Sequence, residues 1–598
     1  MARSDLASWM EEEEEEVGKQ ITLTIDCRTV TTEEGQTVLE AARKAGIEIP
    51  TLCYHPDLQV RANCRLCVVE VAGARSLQAS CSTEAREGMV VQTNTPAIRQ
   101  AREVNLSLIL ANHPQECLGC IRNRTCELQT VTEQLGGKAS KWPVTSRLPV
   151  DASNPSIVRD SDKCILCRRC VEVCHEVQTV GAIGPINRGL STHILPPHGS
   201  DLEQVGCVFC GQCVAHCPVG ALYEKDDTAK VWRALADPES HVIVQVAPAV
   251  RVSIGEEMGL APGTNLEGQV VSALRRIGFR RVFDATFTAD LTIMEEGIEL
   301  VQRLSGGGTL PMFTSCCPAW VRFAENFYPD FLPNLSTCKS PQQMLGALAK
   351  TYYGREADID PARIVMVSIM PCVAKKSEAC RPELRSSGFQ DVDYVLTTRE
   401  LGRMLRSSGV RLDALEPEQF DDPLGISSGA GVIFGATGGV MEAALRTGYH
   451  LITGEELGAL DLEEVRGFDG IREATVRLGS AASIRVAVAH GLARARALIE
   501  KLKAGEVRYD FVEVMACPGG CIGGAGQPYG STMKTVAQRM AAIYQGDRDK
   551  AIRCSHHNPA VKQLYARYLG QPLGARSHHL LHTHYTARRV LATASRAA

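Results

Sequence analysis

The chain has 598 residues, a formal net charge of −5 and 44% hydrophobic residues, which exceeds one core and implies several domains. The charge gives no footing for nucleic acid or an anionic membrane surface, and no run approaches the ~18 apolar residues of a membrane span. The 24 cysteines fall into CxxC-type clusters, a pattern of metal ligation in a reducing, cytoplasmic setting rather than of a disulfide framework.

Residues 1–18, MARSDLASWMEEEEEEVG, lack a basic start followed by an apolar run, so they are not a secretory signal. They read as a disordered acidic tail. In residues 19–97 the alternating run KQITLTIDCRTVTT predicts a strand and hairpin, and TVLEAARKAGIEIP a short helix ending near Gly46. Cys53, Cys64, Cys67 and Cys81 follow as C-x10-C-x2-C-x13-C. This is a plant-type [2Fe-2S] spacing with a widened first gap, or a zinc ribbon. Cys27 lies in the strand run and is expected to be a small buried hydrophobe. Residues 98–137 begin with helical periodicity in AIRQAREVNLSLILANH; His113, Cys117, Cys120 and Cys126 then offer one imidazole and three thiolates, suited to zinc or to a [4Fe-4S] cluster.

Residues 138–227 hold two bacterial ferredoxin runs: Cys164, Cys167, Cys170 and Cys174, then Cys207, Cys210, Cys213 and Cys217. In two-cluster ferredoxins the fourth cysteine of each run ligates the other cluster. One cubane is therefore expected on Cys164, Cys167, Cys170 and Cys217, the other on Cys207, Cys210, Cys213 and Cys174. Residues 228–545 read as α/β. HVIVQVAPAV and ARIVMVSIM are short apolar runs suited to buried parallel strands, with helical patterns between them. The glycine-rich stretch 429–446 does not fit G-x-G-x-x-G, so no dinucleotide site is expected there. Residues 546–598 form a C-terminal extension with His556, His557, His578, His579, His582 and His584 in two groups. No ligand geometry is evident, and metal binding is not expected.

Within 228–545, four cysteines sit in Gly/Pro-punctuated loops: Cys317 in PMFTSCCPAW, Cys372 in IMPCVAKK, and Cys517 with Cys521 in VMACPGGCIGG. Their spacing alone suits zinc or an iron–sulfur cubane. All three segments, in this order, resemble the signature motifs of the [FeFe]-hydrogenases. The resemblance spans about residues 19–545 and implies a multidomain α+β and α/β fold. A β-grasp [2Fe-2S] domain, a [4Fe-4S] domain ligated by one histidine and three cysteines, and a two-cluster [4Fe-4S] ferredoxin domain would precede the α/β catalytic domain that holds the H-cluster. That cofactor is a [4Fe-4S] cubane joined through one cysteine to a two-iron subsite with CO, cyanide and a bridging dithiolate.

The resemblance also implies site roles. Cys317, Cys372, Cys517 and Cys521 would hold the cubane, with Cys521 bridging to the subsite. Lys375 would donate to a cyanide nitrogen. Ala247, Pro248, Ser340, Gln342, Met370 and Met515 match pocket residues, and Ala249 stands where some members carry a hydroxyl. Cys316, Glu296, Ser336, Glu299 and Arg303 match a proton relay; independently, Glu296, Glu299 and Arg303 share one helix face by spacing. The implied reaction is 2H⁺ + 2e⁻ ⇌ H₂, with electrons relayed to ferredoxin. An alternative is the catalytic subunit of a flavin-containing, NAD(P)-linked complex, and the chain itself has no flavin or nicotinamide motif. Dedicated maturation enzymes are implied as further partners. A relative acting in cytosolic iron–sulfur assembly would lack the two-iron subsite, and the intact TSCCP motif argues against that reading.

Overall fold

The structure, a computed structural model, describes residues 19–137, 148–478 and 482–588. The acidic tail expected over residues 1–18 lies outside them. The first module is a five-stranded sheet in the order Arg28–Glu33, Gln20–Ile25, Val90–Gln92, Val68–Val71, Gln78–Ala79. The helix Val38–Lys44 closes one face, started by a Thr37–Glu40 capping box. Ile21, Leu23 and Ile25 alternate inward against Val38, Leu39 and Val69, which is the expected β-grasp. Cys27 departs from the expectation. It is exposed and forms, with Asp26, the two-residue turn of the hairpin, at φ values of 64° and 49°. A tight hairpin needs left-handed backbone at both turn positions, and Asp-Cys carries no Asn-Gly signature to show where the run breaks.

The helix Pro96–Ala111, capped by Thr95, leads to the His113 segment. Among its described residues the ferredoxin region builds two small ladders, Ile157–Arg159 with Leu222–Glu224 and Gly184–Ile186 with His193–Leu195.

The catalytic region contains two four-stranded sheets. The first runs Arg281–Asp284, His241–Val246, Ile364–Met370, Tyr394–Thr397, all parallel. The second runs Met312–Phe313, Phe511–Met515, Ala482–His490, Arg472–Leu478, with an antiparallel pair at its far edge. Strands covered on both faces read as unbroken apolar runs; in FVEVM every residue is buried. Four strands end immediately before a site loop: Val246 before Ala247, Phe313 before the Cys317 loop, Met370 before Cys372, Met515 before Cys517. The site thus forms beyond the carboxyl ends of parallel strands, where α/β folds place ligands. Past it, the helix Met533–Asp549 runs through the 545/546 boundary expected from sequence. The chain then returns to the core, burying Val561, Leu564, Leu569, Leu580 and Leu581. Among the described residues no helix is long and apolar enough to cross a membrane.

Candidate active site and cluster sites

Cys317, Cys372, Cys517 and Cys521 line one cavity, with Ala247, Pro248, Ala249, Met370 and Met515 forming much of its wall. All four are free thiols. Burial raises the pKa of each, and Cys372 and Cys317 add further to the rise at Cys517 and Cys521. Four thiolates facing each other in a dry pocket require a cationic core. Glycines keep the space open. At Gly524 a Cβ would lie 2.2 Å from the Pro371 carbonyl oxygen, and at Gly520, φ +86°, 2.6 Å from Thr437 N. This donor set and cradle fit a cysteine-held iron–sulfur cofactor with apolar surroundings.

Lys375 is buried and donates to the Cys316 carbonyl at 3.1 Å and to both Glu378 oxygens at 3.2 and 2.9 Å. Burial would lower its pKa, but Glu378 more than offsets this and the net shift is upward, so the ammonium persists beside the cavity. Ser340 Oγ and Gln342 Nε2 each donate to the same Glu378 oxygen at 3.0 Å, while Gln342 Oε1 is buried without a partner. Ala249 offers only its carbonyl, which accepts from Ser253 Oγ at 2.8 Å and Gln527 Nε2 at 3.1 Å.

The helix Ala285–Gln302 buries Glu295, Glu296 and Glu299. Burial first, and then the Glu299 charge, push Glu296 up to about 8, against the lowering effect of a Ser336 hydrogen bond. Burial and the adjacent Glu296 likewise raise Cys316 well above an ordinary thiol. Ser336 Oγ donates to Glu299 Oε2 at 2.9 Å, and Arg303 donates to Glu299 Oε1 at 2.6 Å. The structure therefore brings Cys316, Glu296, Ser336, Glu299 and Arg303 into one buried series. The adjacent Cys317 lines the cavity as well, its sulfur accepting from Ala516 N at 3.4 Å.

The accessory cysteines also gather. Cys64 N donates to Cys53 Sγ at 3.5 Å, and the Cys67 and Cys81 sulfurs are 3.3 Å apart. His113 Nδ1 lies 3.1 Å from the Lys163 carbonyl, which leaves Nε2 as the free ring nitrogen. Burial raises the Cys126 pKa, and the nearby Cys120 adds to the rise. Cys164, Cys167, Cys170 and Cys217 line a common cavity. Cys207, Cys210 and Cys213 each lie close enough to Cys174 for its charge to raise their pKa, so Cys174 stands with the second run and Cys217 with the first. The charge of Cys217 adds to the rise at Cys213, and that of Cys210 to the rise at Cys517, which puts the second ferredoxin run next to the catalytic cavity. At that junction Gly211, φ +75°, would place a Cβ 2.7 Å from Val373 and 2.9 Å from Ala525. Glu224 pins the module from the other side, accepting from Arg399 at 2.7 Å and Arg403 at 3.1 Å.

Several functional neighbours had no motif. Glu378 follows Lys375 by one helical turn, and that spacing could have revealed it. His582 could not be found that way. Its Nε2 lies 3.1 Å from Glu295 Oε2, and its Nδ1 2.8 Å from Thr337 Oγ1 and 4.0 Å from Cys338 Sγ. Cys338 Sγ in turn stands 3.9 Å from Glu299, so the C-terminal segment closes over the buried carboxylates of Glu295 and Glu299.

The sequence family described as the iron only hydrogenase large subunit, C-terminal domain, matches residues 240–525, and the iron hydrogenase small subunit family matches 533–588. A 2Fe-2S iron–sulfur cluster binding domain matches 18–96, and the NADH-ubiquinone oxidoreductase-G iron–sulfur binding region matches 102–141. Residues 154–223 match the ferredoxin-like domain of NADH-quinone oxidoreductase subunit 3. The NADP-reducing hydrogenase subunit HndD of Solidesulfovibrio fructosivorans is 49% identical over 96% of this chain and 100% of its own length. Iron hydrogenase 1 of Clostridium pasteurianum is 40% identical over 93% of this chain and 98% of its own. A solved structure of [FeFe]-hydrogenase HydA1 from Chlamydomonas reinhardtii, a variant, superposes with a TM-score of 0.56 at 46% identity, covering 61% of this chain and 100% of that one. The cysteine-lined cavity, its strand-end loops and full-length similarity to known hydrogenases place this chain in the iron-only, or [FeFe]-, hydrogenase family, in the form that carries [2Fe-2S] and [4Fe-4S] domains ahead of an H-cluster-binding domain.

Proposed function

We propose that this hydrogenase is the hydrogen-activating subunit of a pyridine-nucleotide-linked assembly, passing electrons through its accessory clusters to a separate flavin-bearing subunit. The observation that carries this reading is similarity along nearly the whole chain to a protein named as an NADP-reducing hydrogenase subunit. A ferredoxin partner is the second reading, favoured by the like similarity to Iron hydrogenase 1.

Cys317, Cys372, Cys517 and Cys521 would hold the H-cluster, which when bound would supply the redox chemistry that interconverts protons, electrons and H₂. The protein residues do the rest. Lys375, held charged by Glu378, would fix an anionic ligand by a charge-assisted hydrogen bond. Met370, Met515 and Ala249 keep water out. Cys316 would take and return the proton at its Sγ, Glu296 at its carboxyl. Ser336, donating to Glu299, would pass it on by rotating its hydroxyl, and Glu299, positioned by Arg303, would be the outer acceptor.

Affinity purification of this chain from its native cells under anaerobic conditions tests the electron partner. The expected result is co-purifying flavin and H₂-dependent NADP⁺ reduction. A flavin-free preparation that exchanges electrons rapidly with ferredoxin and never with NADP⁺ would overturn the reading. Infrared CO and cyanide bands that persist in Cys316→Ala but vanish in Cys521→Ala test the division between relay and ligand.

A further inference from the structure

The six C-terminal histidines form no ligand set among themselves, but the fold brings two of them to groups a hundred residues earlier. His450 sits near the end of the helix Gly439–Thr453, and Glu456 lies in the loop that follows. Cys554, His556 and His557 come from the short 3-10 turn after the helix Met533–Asp549. Ligand atoms of Glu456, Cys554, His556 and His557 all lie within 4.8 Å of one another. The Glu456 carboxylate is 3.1 Å from His557 Nε2, 3.3 Å from His556 Nε2 and 3.1 Å from His450 Nδ1. These separations approach the ligand–ligand edges of a tetrahedron whose bonds are about 2.0–2.3 Å.

Three further features suit an ion rather than a simple ion pair. One carboxylate needs one imidazolium, yet three imidazoles face it. The rings of His450 and His556 stack at 4.3 Å, and those of His556 and His557 lie 4.2 Å apart, which mutual protonation would oppose. His556 Nδ1 is held by Thr447 Oγ1 at 3.1 Å, the outer hydrogen bond that orients a metal-binding histidine and turns Nε2 inward. His450 Nδ1 is buried without a well-directed hydrogen bond. The nearby guanidiniums are already engaged: Arg446 and Arg553 both pair with Asp547. They leave the Cys554 sulfur, which is buried, free to complete the set.

We propose that Glu456, Cys554, His556 and His557, with His450 as an alternative nitrogen donor, bind one divalent cation of the zinc class. Mixed nitrogen, sulfur and oxygen donors in this number select Zn²⁺ over Mg²⁺ or Ca²⁺. The ion ties the end of a catalytic-domain helix to the segment matched by the small-subunit family. None of its ligands belongs to the relay or to the iron–sulfur sites.

The test uses the iron-loaded holoenzyme, stripped of adventitious metal by a chelator and given ZnCl₂ anaerobically. The expected result is about one zinc per chain surviving gel filtration, with zinc-edge X-ray absorption showing a single sulfur at ~2.3 Å among nitrogen and oxygen neighbours. In His556→Ala/His557→Ala the affinity falls roughly tenfold or more, while iron content and H₂ turnover stay at the wild-type level. Cys554→Ser, too conservative to unfold the chain, removes the sulfur scatterer. Zinc absent from the fully iron-loaded wild type, or bound unchanged in either variant, overturns the proposal.

Discussion

Glu296→Gln separates a proton carrier from a structural buried acid, because the two roles predict opposite effects on stability. The Glu296 carboxyl is pushed up from 4.5 to about 8, chiefly by burial. A carboxyl raised in the folded state favours folding below its unfolded pKa, and that advantage is lost as the pH rises towards the folded value. At ~1.36 kcal/mol per unit, the displacement corresponds to at most about 5 kcal/mol lost between roughly pH 4.5 and pH 8. Glutamine keeps the neutral shape and has nothing to ionise. The variant should therefore match the wild type near pH 5 and exceed it by about 2–5 kcal/mol at pH 8. Turnover should fall by about 10²–10⁴-fold, the usual worth of a positioned acid–base group. The assays are viologen-driven H₂ evolution and the urea midpoint of the catalytic domain, both anaerobic and both across pH. Iron content and infrared bands report that the cofactor is intact. Loss of stability along with activity at pH 8, or retention of activity, would refute the reasoning.

Other expectations follow from the same geometry. Cys316→Ala should keep the CO and cyanide bands and lose nearly all turnover, whereas Cys316→Asp, which restores an ionisable group, should recover part of it; loss of the bands would make Cys316 a ligand. Glu224→Ala leaves the buried Arg399 without its carboxylate and Arg403 with only Asp226, so it should cost roughly 3–5 kcal/mol in denaturation experiments. A loss below ~1 kcal/mol would show that the pair is solvent-relaxed. His113→Cys adds negative charge at its cluster, so one potential in a redox titration should fall; an unchanged set removes His113 from the ligands. Protein made without the maturation enzymes should carry accessory-cluster signals and no H₂ activity, and activity in that preparation would contradict the site assignment.

Spacing carried far in this chain because cluster ligation is a local demand. That Cys217 would stand with the first eleven-residue run and Cys174 with the second was legible from the spacing, since the loop that wraps a cubane is itself the motif. The parallel strands were legible as uninterrupted apolar runs. The first hairpin was legible too, but its turn at Asp26–Cys27 was not, because a turn held by tertiary packing needs no turn residues. Nor were His582 and the His450–Glu456–His556 grouping. Each is a side chain of ordinary type whose partner is decided by how helices pack, and single-sequence periodicity carries no information on that. The buried carboxylates are the clearest case. Glu296 and Glu299 by spacing describe an exposed charged face, and only the fold turns that face inward.

The closure of the C-terminal segment over the carboxylates bears on how this chain can come apart. Thr583 N donates to the Thr337 carbonyl at 2.8 Å and Tyr585 Oη to that of Ser336 at 2.8 Å, while Tyr565 Oη and His582 reach Glu295. A segment of this kind on a separate polypeptide would hold its place only as tightly as its dissociation constant allows, and dilution would peel it from the relay. Carried on the same chain, it rebinds at the millimolar effective concentration of a short tether. Its coverage of Glu299 is then insensitive to protein concentration. A protease cut near residue 550 would restore that sensitivity, making activity fall on dilution without breaking any bond at the catalytic cavity.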